Sequence, residues 1–366
     1  MTLLRRLLRS QQAGLLLVII ALGTALGLLA GTHVDPATGA TVNNFLNSYT
    51  LIQTATDASF FAIMAVGATV VIVAAGIDLS VGSVYALAGV TMAMVIRAVD
   101  PHSGLATVML GFGVAVTIGL LAGLMNGAMV VGLRVHPFII TLGTMWILRG
   151  IAFVSSKAES ILLPEPVTRV AKASLGLGAS LYPVPMLSML LVAIAGAVYL
   201  SRTVMGRHVF AVGGNVEASR FSGLRIGRIQ MGVYLVSGVT AGLSAFLGAS
   251  FYGSASCGDA TGYELYVIAS AVVGGASLSG GKGSAINAML GAILIVLIRQ
   301  SIRTLHFDQN YEWIIIGCAI VIAVVVDQSS TRFAARRLTR QTTQNAPAKQ
   351  PEDRSQSEDQ KKRELG

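Results

Sequence analysis

Between residues 14 and 327 the chain repeats one pattern, runs of 17 to 24 apolar and small residues separated by short polar connections. A helix rises 1.5 Å per residue, so ~20 such residues cross the ~30 Å hydrocarbon core of a bilayer. The runs are 14–31, 55–76, 81–98, 104–126, 136–155, 184–201, 229–252, 263–279, 284–302 and 311–327, roughly ten crossings by that length rule. Only helices or closed barrels satisfy the backbone in lipid, and the alternating ten-residue pattern of a barrel is missing. The expected fold is therefore an all-α polytopic membrane protein. Charged residues make up 12% of the chain, against about 25% in soluble domains, which leaves no polar stretch long enough for a water-exposed catalytic domain.

The basic residues set the orientation. With both termini cytoplasmic, the segments 1–13, 77–80, 127–135, 202–228, 280–283 and the tail hold 19 of the 26 Lys and Arg residues. That is the asymmetry of the positive-inside rule. Acids lean the other way, at Asp35, Asp57, Asp100, Glu159, Glu165, Asp259 and Glu264. The net charge of +9 thus marks topology. The aromatic residues among the bases are too few for the stacking platform that a nucleic-acid partner requires. The run 14–31 follows Arg5, Arg6 and Arg9 and has no convincing cleavage site, so it reads as an uncleaved first span. Cys257 lies in a loop and Cys318 in the last run, with no metal-ligand spacing and no expected disulfide. The expected organisation is a basic cytoplasmic N-terminus (1–13), a transmembrane domain (14–327) and a disordered tail (328–366), almost free of apolar residues after Leu338.

Three segments carry chemistry. In Gly76-Ile-Asp-Leu-Ser-Val-Gly-Ser83, Asp78 sits between two apolar runs. An ionisable group there is costly and marks a functional candidate, while Asp78 and Ser80 also suit the cap of the following helix. Both readings hold if the cap lines a path, for which Asp78, Ser80, Ser83, Asn126 and Thr141 are the candidates. The connection 77–80 is a short turn or a re-entrant break, as is 280–283. The second segment, Gly206 to Arg228, is long and basic. It predicts a short helix over 215–221, with Asn215 as N-cap, Glu217 in the first turn, Arg220 later and Gly223 as the stop. Such a helix suits a cytoplasmic partner, and a solvated loop that only fixes topology is the plainer reading.

The third segment, Gly274 to Ser284, fails the phosphate-loop pattern because Gly283, not Ser or Thr, follows Lys282. Its glycines suit a tight turn and close helix packing. Asp78-Leu-Ser80 with Gly82-Ser83 is weakly similar to Ser277-Leu-Ser279 with Gly283-Ser284, the kind of duplication transporters carry. Asn126, Thr141, Thr144, Arg149, Asn287 and Glu312 are polar residues within spans, suited to interhelical bonds, and His136-Pro137 marks a helix start.

Gly76 to Ser83, His136-Pro-Phe-Ile-Ile-Thr-Leu-Gly143, Gly213-Gly-Asn-Val-Glu-Ala-Ser-Arg-Phe-Ser-Gly223 and Val273 to Gly281 stand in an order that resembles the inner-membrane permeases of ribose-type ABC importers, which take up monosaccharides or autoinducer-2. The resemblance covers about residues 45 to 327, so the tail beyond Leu338 is longer than it accounts for. It implies import of a neutral, ribose-like monosaccharide across the inner membrane, without catalysis by this chain. Implied partners are cytoplasmic ATPase subunits that use ATP and magnesium, a second permease copy or a related permease, and a periplasmic sugar-binding protein. It also implies that Gly214, Asn215, Glu217, Ala218, Ser219 and Arg220 form the coupling helix that enters a groove on the ATPase, with Phe221 a mild departure before Ser-Gly. The alternative is an ion-coupled secondary transporter, which would carry several membrane acids, whereas Asp78 and Glu312 are the acids available. A membrane-embedded enzyme would need a nucleophile–base or metal constellation, and five scattered histidines form none.

Overall fold

The computed structural model describes residues 11–35, 39–174, 182–318, 321, 322 and 325. The described residues up to Ile322 form one compact unit, and beyond it only Val325 is described. The tail expected to be disordered lies outside the described residues.

Eight helices among the described residues are long and apolar enough to span a bilayer, and the chain is an all-α multi-pass membrane protein. In order they are α1 (Gln11–Leu29), α2 (Ser48–Val73), α3 (Val81–Val99), α4 (Gly104–Leu133), α5 (Pro137–Ser156), then α7 (Pro183–Arg202), α10 (Ile226–Tyr252) and α12 (Ala285–Thr304). Shorter helices intervene: α6 (Glu165–Ala171), α8 (Val204–Gly214), α9 (Val216–Phe221) and α11 (Tyr263–Val273). A hairpin of β1 (Thr32–Val34) and β2 (Thr41–Asn43) follows α1, pairing Thr32 with Asn43. A second pair, β3 (Ile161–Leu162) with β4 (Ser254–Ala255), ties the segment after α5 to the one after α10.

Several boundaries move from the sequence expectation, each for a local reason. α2 starts at Ser48, not 55, because Asn47 caps it by accepting the Thr50 amide at 2.8 Å. Asp57, within α2, accepts a hydrogen bond from the Tyr252 hydroxyl at 2.7 Å. α4 runs to Leu133 rather than 126 because Gly127 to Leu133 stays apolar and contains no proline, and the turn comes only at Arg134 (φ +54°) before Pro137. His136 caps α5, its ring accepting the Phe138 amide. The span expected at 263–279 is instead the 11-residue α11, too short to cross a bilayer, because Gly274-Gly275 ends it. The last expected span is described as helix over 311–318, with most of the rest outside the described residues.

α2 is hydrophobic all round and buried almost continuously from Ala58 to Ala74, the pattern of a central helix. α4 and α10 pack backbone to backbone. A Cβ on Gly119 would overlap the Gly238 carbonyl oxygen, and one on Gly242 would overlap that of Ala115. Small residues at four-residue spacing allow this approach where lipid supplies no hydrophobic drive. Arg299 is paired inside the bundle. Arg299 Nε lies 2.5 Å from Glu312, and its guanidinium covers the rings of Phe61 and Tyr266 at 5.2 and 4.8 Å. Both cysteines are free.

Candidate functional site

Two interrupted helix pairs meet in this bundle. α2 ends at Val73, where the Gly76 amide donates to the Val71 carbonyl and the Ala75 amide to that of Ile72. α11 ends in the same way, Ala276 to Ala271 and Gly275 to Val272. Both are Schellman-type endings, with the left-handed residue at Ala75 (φ +60°) and Gly275 (φ +90°). The two endings share one backbone geometry at a constant offset of 200 residues, just ahead of the weakly similar segments read from sequence, whose own offsets are 199 and 201. The two connections touch directly, the Gly281 amide donating to the Val73 carbonyl at 2.9 Å.

The first connection, 74–80, is sewn into the bundle by Asp78. One carboxylate oxygen accepts both the Ser80 amide (2.9 Å) and the Ser80 hydroxyl (2.7 Å), while the other accepts the Ser237 hydroxyl of α10 at 2.7 Å. Asn126 of α4 donates to Ser80 Oγ at 2.7 Å. Tyr234 and Thr141 donate to the Ile77 carbonyl at 3.2 and 3.3 Å. Ser237 is the twelfth of 27 residues in α10, so the break lies part-way along its neighbours rather than at their ends. Asp78 is 4% exposed, and Ser80, Ser83, Asn126 and Thr141 are buried too, so none of the five faces the surface of this chain. The simple capping expectation is corrected: Ser80 stands at the cap position of α3 but bonds none of its free amides. Its hydroxyl is occupied between Asp78 and Asn126. Ser83 Oγ is buried without a hydrogen-bond partner among the described residues.

The basic segment folds into α8 and α9. Thr203 caps α8, and Asn215 caps α9 by accepting the Ala218 amide at 2.9 Å. Gly223 (φ +79°) ends the turn after α9. Glu217, Ala218 and Arg220 are exposed, Ser219 is buried, and Phe221 is 91% exposed, an apolar side chain with nothing of this chain over it. A cleft of about 690 Å³ lies beside α9, lined in part by Arg134, His136, Arg220 and Gln230. Gly213, at the end of α8, presses on both breaks. A Cβ there would overlap the Val73 carbonyl oxygen and stand 2.7 Å from the Gly281 amide nitrogen, and Gly214 lies against Gly281.

The family model described as the permease component of the branched-chain amino acid transport system matches residues 50–324. The chain belongs to this permease family. The permease is similar to the D-allose transport system permease protein of Escherichia coli (strain K12), 34% identical over 287 residues, 78% of this chain and 85% of the relative. It is similar to the ribose import permease protein of Haemophilus influenzae, 37% identical over 287 residues, with the same coverage of both chains. A third relative is the autoinducer 2 import system permease protein of Yersinia enterocolitica, 32% identical over 326 residues, 87% of this chain and 85% of the relative. No solved structure matches the permease.

Within the permease, the structure brings Asp78, Ser80 and Asn126 into one chain of hydrogen bonds, with Thr141 beside it on Ile77. It places the α9 residues apart from that chain, linked through Gly213. Sequence reasoning missed Ser237 and Tyr234. Both lie in a run of small and apolar residues, and only the contact of α10 with the 74–80 connection gives them a partner.

Proposed function

We propose that this permease is the membrane subunit of an ATP-driven importer of a neutral, ribose-like monosaccharide. The observation that carries the reading is similarity along about 85% of the length of permeases whose names specify ribose and D-allose. The branched-chain amino acid title of the family model covers a wider set, and the relatives favour a sugar within it. In this reading the chain is a multi-pass protein of the inner membrane with both termini cytoplasmic. Its partners are a cytoplasmic ATPase pair, a second permease copy or a related permease, and a periplasmic sugar-binding protein. The basic N-terminus, the membrane domain and the tail keep the limits given by the sequence.

Gly214, Asn215, Glu217, Ala218, Ser219, Arg220 and Gly223 form the coupling element, and α9 docks on the ATPase. The exposed Phe221, Glu217 and Arg220 support that assignment, because a polar rim around an apolar side chain is what a protein groove accepts. ATP binding on the partner then biases a two-state bundle. Movement of α9 reaches the breaks through Gly213, whose contacts with Val73 and Gly281 are backbone to backbone and leave no soft side chain to absorb it. Asp78, Ser80, Ser83, Asn126 and Thr141 form the polar hinge beside the path. A neutral solute needs few fixed charges, which agrees with how few acids lie within the apolar runs.

Uptake assays decide the energy source. Sugar uptake that survives collapse of the ion gradient and stops on ATP depletion is the expected result. The reverse pattern makes the chain an ion-coupled transporter and overturns the proposal. Mild detergent extraction should also recover an ATPase subunit with the permease.

A further inference from the structure

The connection between α10 and α11 does not stay at the end of the bundle. Its first residue pair is β4, level with the middle of α3, where a Cβ on Gly89 would lie 3.5 Å from that of Ala255. Five residues on, the Ala260 carbonyl abuts Gly82, where an added Cβ would stand 2.5 Å from that oxygen. Gly82 and Gly89 are seven residues apart on α3, so the chain descends about 10 Å into the bundle over that short stretch.

Arg149 holds it there. This residue is the thirteenth of 20 in α5, well inside the helix. Its Nη1 donates to the carbonyls of Cys257 (2.8 Å) and Asp259 (2.6 Å), and Nη2 donates to that of Ala260 (3.3 Å). Three carbonyls at different angles match the rigid fork of a guanidinium, which a lysine ammonium cannot copy. The loop also closes on itself, the Ser256 amide donating to Asp259 Oδ2 and the Thr261 hydroxyl to the Gly258 carbonyl, both at 2.8 Å. Cys257, Ala260 and Gly262 are buried, whereas Gly258 and Thr261 are exposed on the surface of this chain.

Irregular backbone at this depth does not face lipid; it is covered by protein or lines water. The exposed face here is small and polar, and the Thr261 hydroxyl keeps acceptor capacity after donating to Gly258. We propose that residues 256–262 form part of the wall of the solute path, with Gly258 and Thr261 facing a polyhydroxylated solute and Arg149 as the positioning residue. The proposal rests on the permease reading above.

The test uses Thr261→Cys in the full chain carrying Cys318→Ser, in right-side-out vesicles of cells that also express its transport partners. The probes are a charged, membrane-impermeant methanethiosulfonate and the permeant N-ethylmaleimide. Leu191→Cys, on the exposed apolar face of α7, is the comparison site, and the parent protein with buried Cys257 is the blank. The charged reagent should modify Thr261→Cys at least tenfold faster than Leu191→Cys. Adding Arg149→Gln should change that rate at least threefold, and Arg149→Lys should not restore it.

Labelling by the maleimide alone, at the rate of the comparison site, puts the loop against lipid and overturns the proposal. No labelling by either reagent means a second copy seals this face, which also overturns it. An unchanged rate with Arg149→Gln removes the positioning role. Labelling needs no sugar, so a wrong substrate assignment shows as absent ribose uptake in the parent protein while the labelling result stands.

Discussion

Ser237→Ala tests whether Asp78 holds the broken helix in place. The substitution removes one hydroxyl and adds no bulk, leaving a carboxylate oxygen of a 4% exposed Asp78 without its 2.7 Å partner. Interhelical hydrogen bonds in membrane proteins average ~0.6 kcal/mol with a ceiling near 1.7, because the separated helices find other partners. A bond to an ionised acceptor is roughly twice as strong as a neutral one. The upper part of that range applies, about 1–2 kcal/mol, or about 5- to 30-fold in the opening equilibrium of the break at 1.4 kcal/mol per factor of ten. Amide hydrogen exchange of residues 74–84 in nanodiscs reads this directly. Those amides should exchange faster by that factor while the α4–α10 contact, which does not involve the hydroxyl, keeps its protection. Ser237→Thr should recover part of the loss. Unchanged exchange in Ser237→Ala would show that the break is held by packing alone, and would refute the argument from the carboxylate.

Other expectations follow from the same geometry. Asp78→Asn keeps the shape but loses the charge that accepts three bonds, and should lower uptake several-fold with normal membrane insertion; a wild-type rate would make it a replaceable turn residue. Glu217→Lys reverses an exposed charge of α9 and should separate ATP hydrolysis from sugar uptake at unchanged membrane abundance, and uptake at the original rate removes the docking assignment. Gly238→Val forces α10 away from the Gly119 carbonyl, an overpacking cost of about 1–3 kcal/mol, seen as lower thermal stability in detergent; no change would mean the α4–α10 contact is loose.

The helices and their ends were largely legible in the sequence because lipid imposes a length and a hydropathy pattern that local reading can follow. Asn215 as the α9 cap and Gly223 as its stop could be read for the same reason: a cap is a contact between residues two or three apart. The α4 extension was missed because the length rule sets no upper bound on a helix, and Gly127 to Leu133 is as apolar as the run before it. The shortening of α11 went unread because Gly274-Gly275 in an apolar run looks like packing until their backbone angles are known.

Asp78 could be singled out from sequence alone, as an acid between apolar runs stands out against its cost in lipid. What neutralises that cost could not. Ser237 lies 159 residues away and Asn126 reaches Asp78 only through Ser80. The same holds for Arg149, whose three carbonyl partners sit more than 100 residues further on. The solvent of each segment, the apolar runs and the local caps are readable from the chain, since each depends on neighbours along it. Which breaks meet, where the 256–262 loop descends and what Gly213 presses on are settled in three dimensions. Those contacts form between distant backbones, where glycine leaves a space that no local pattern assigns to a partner.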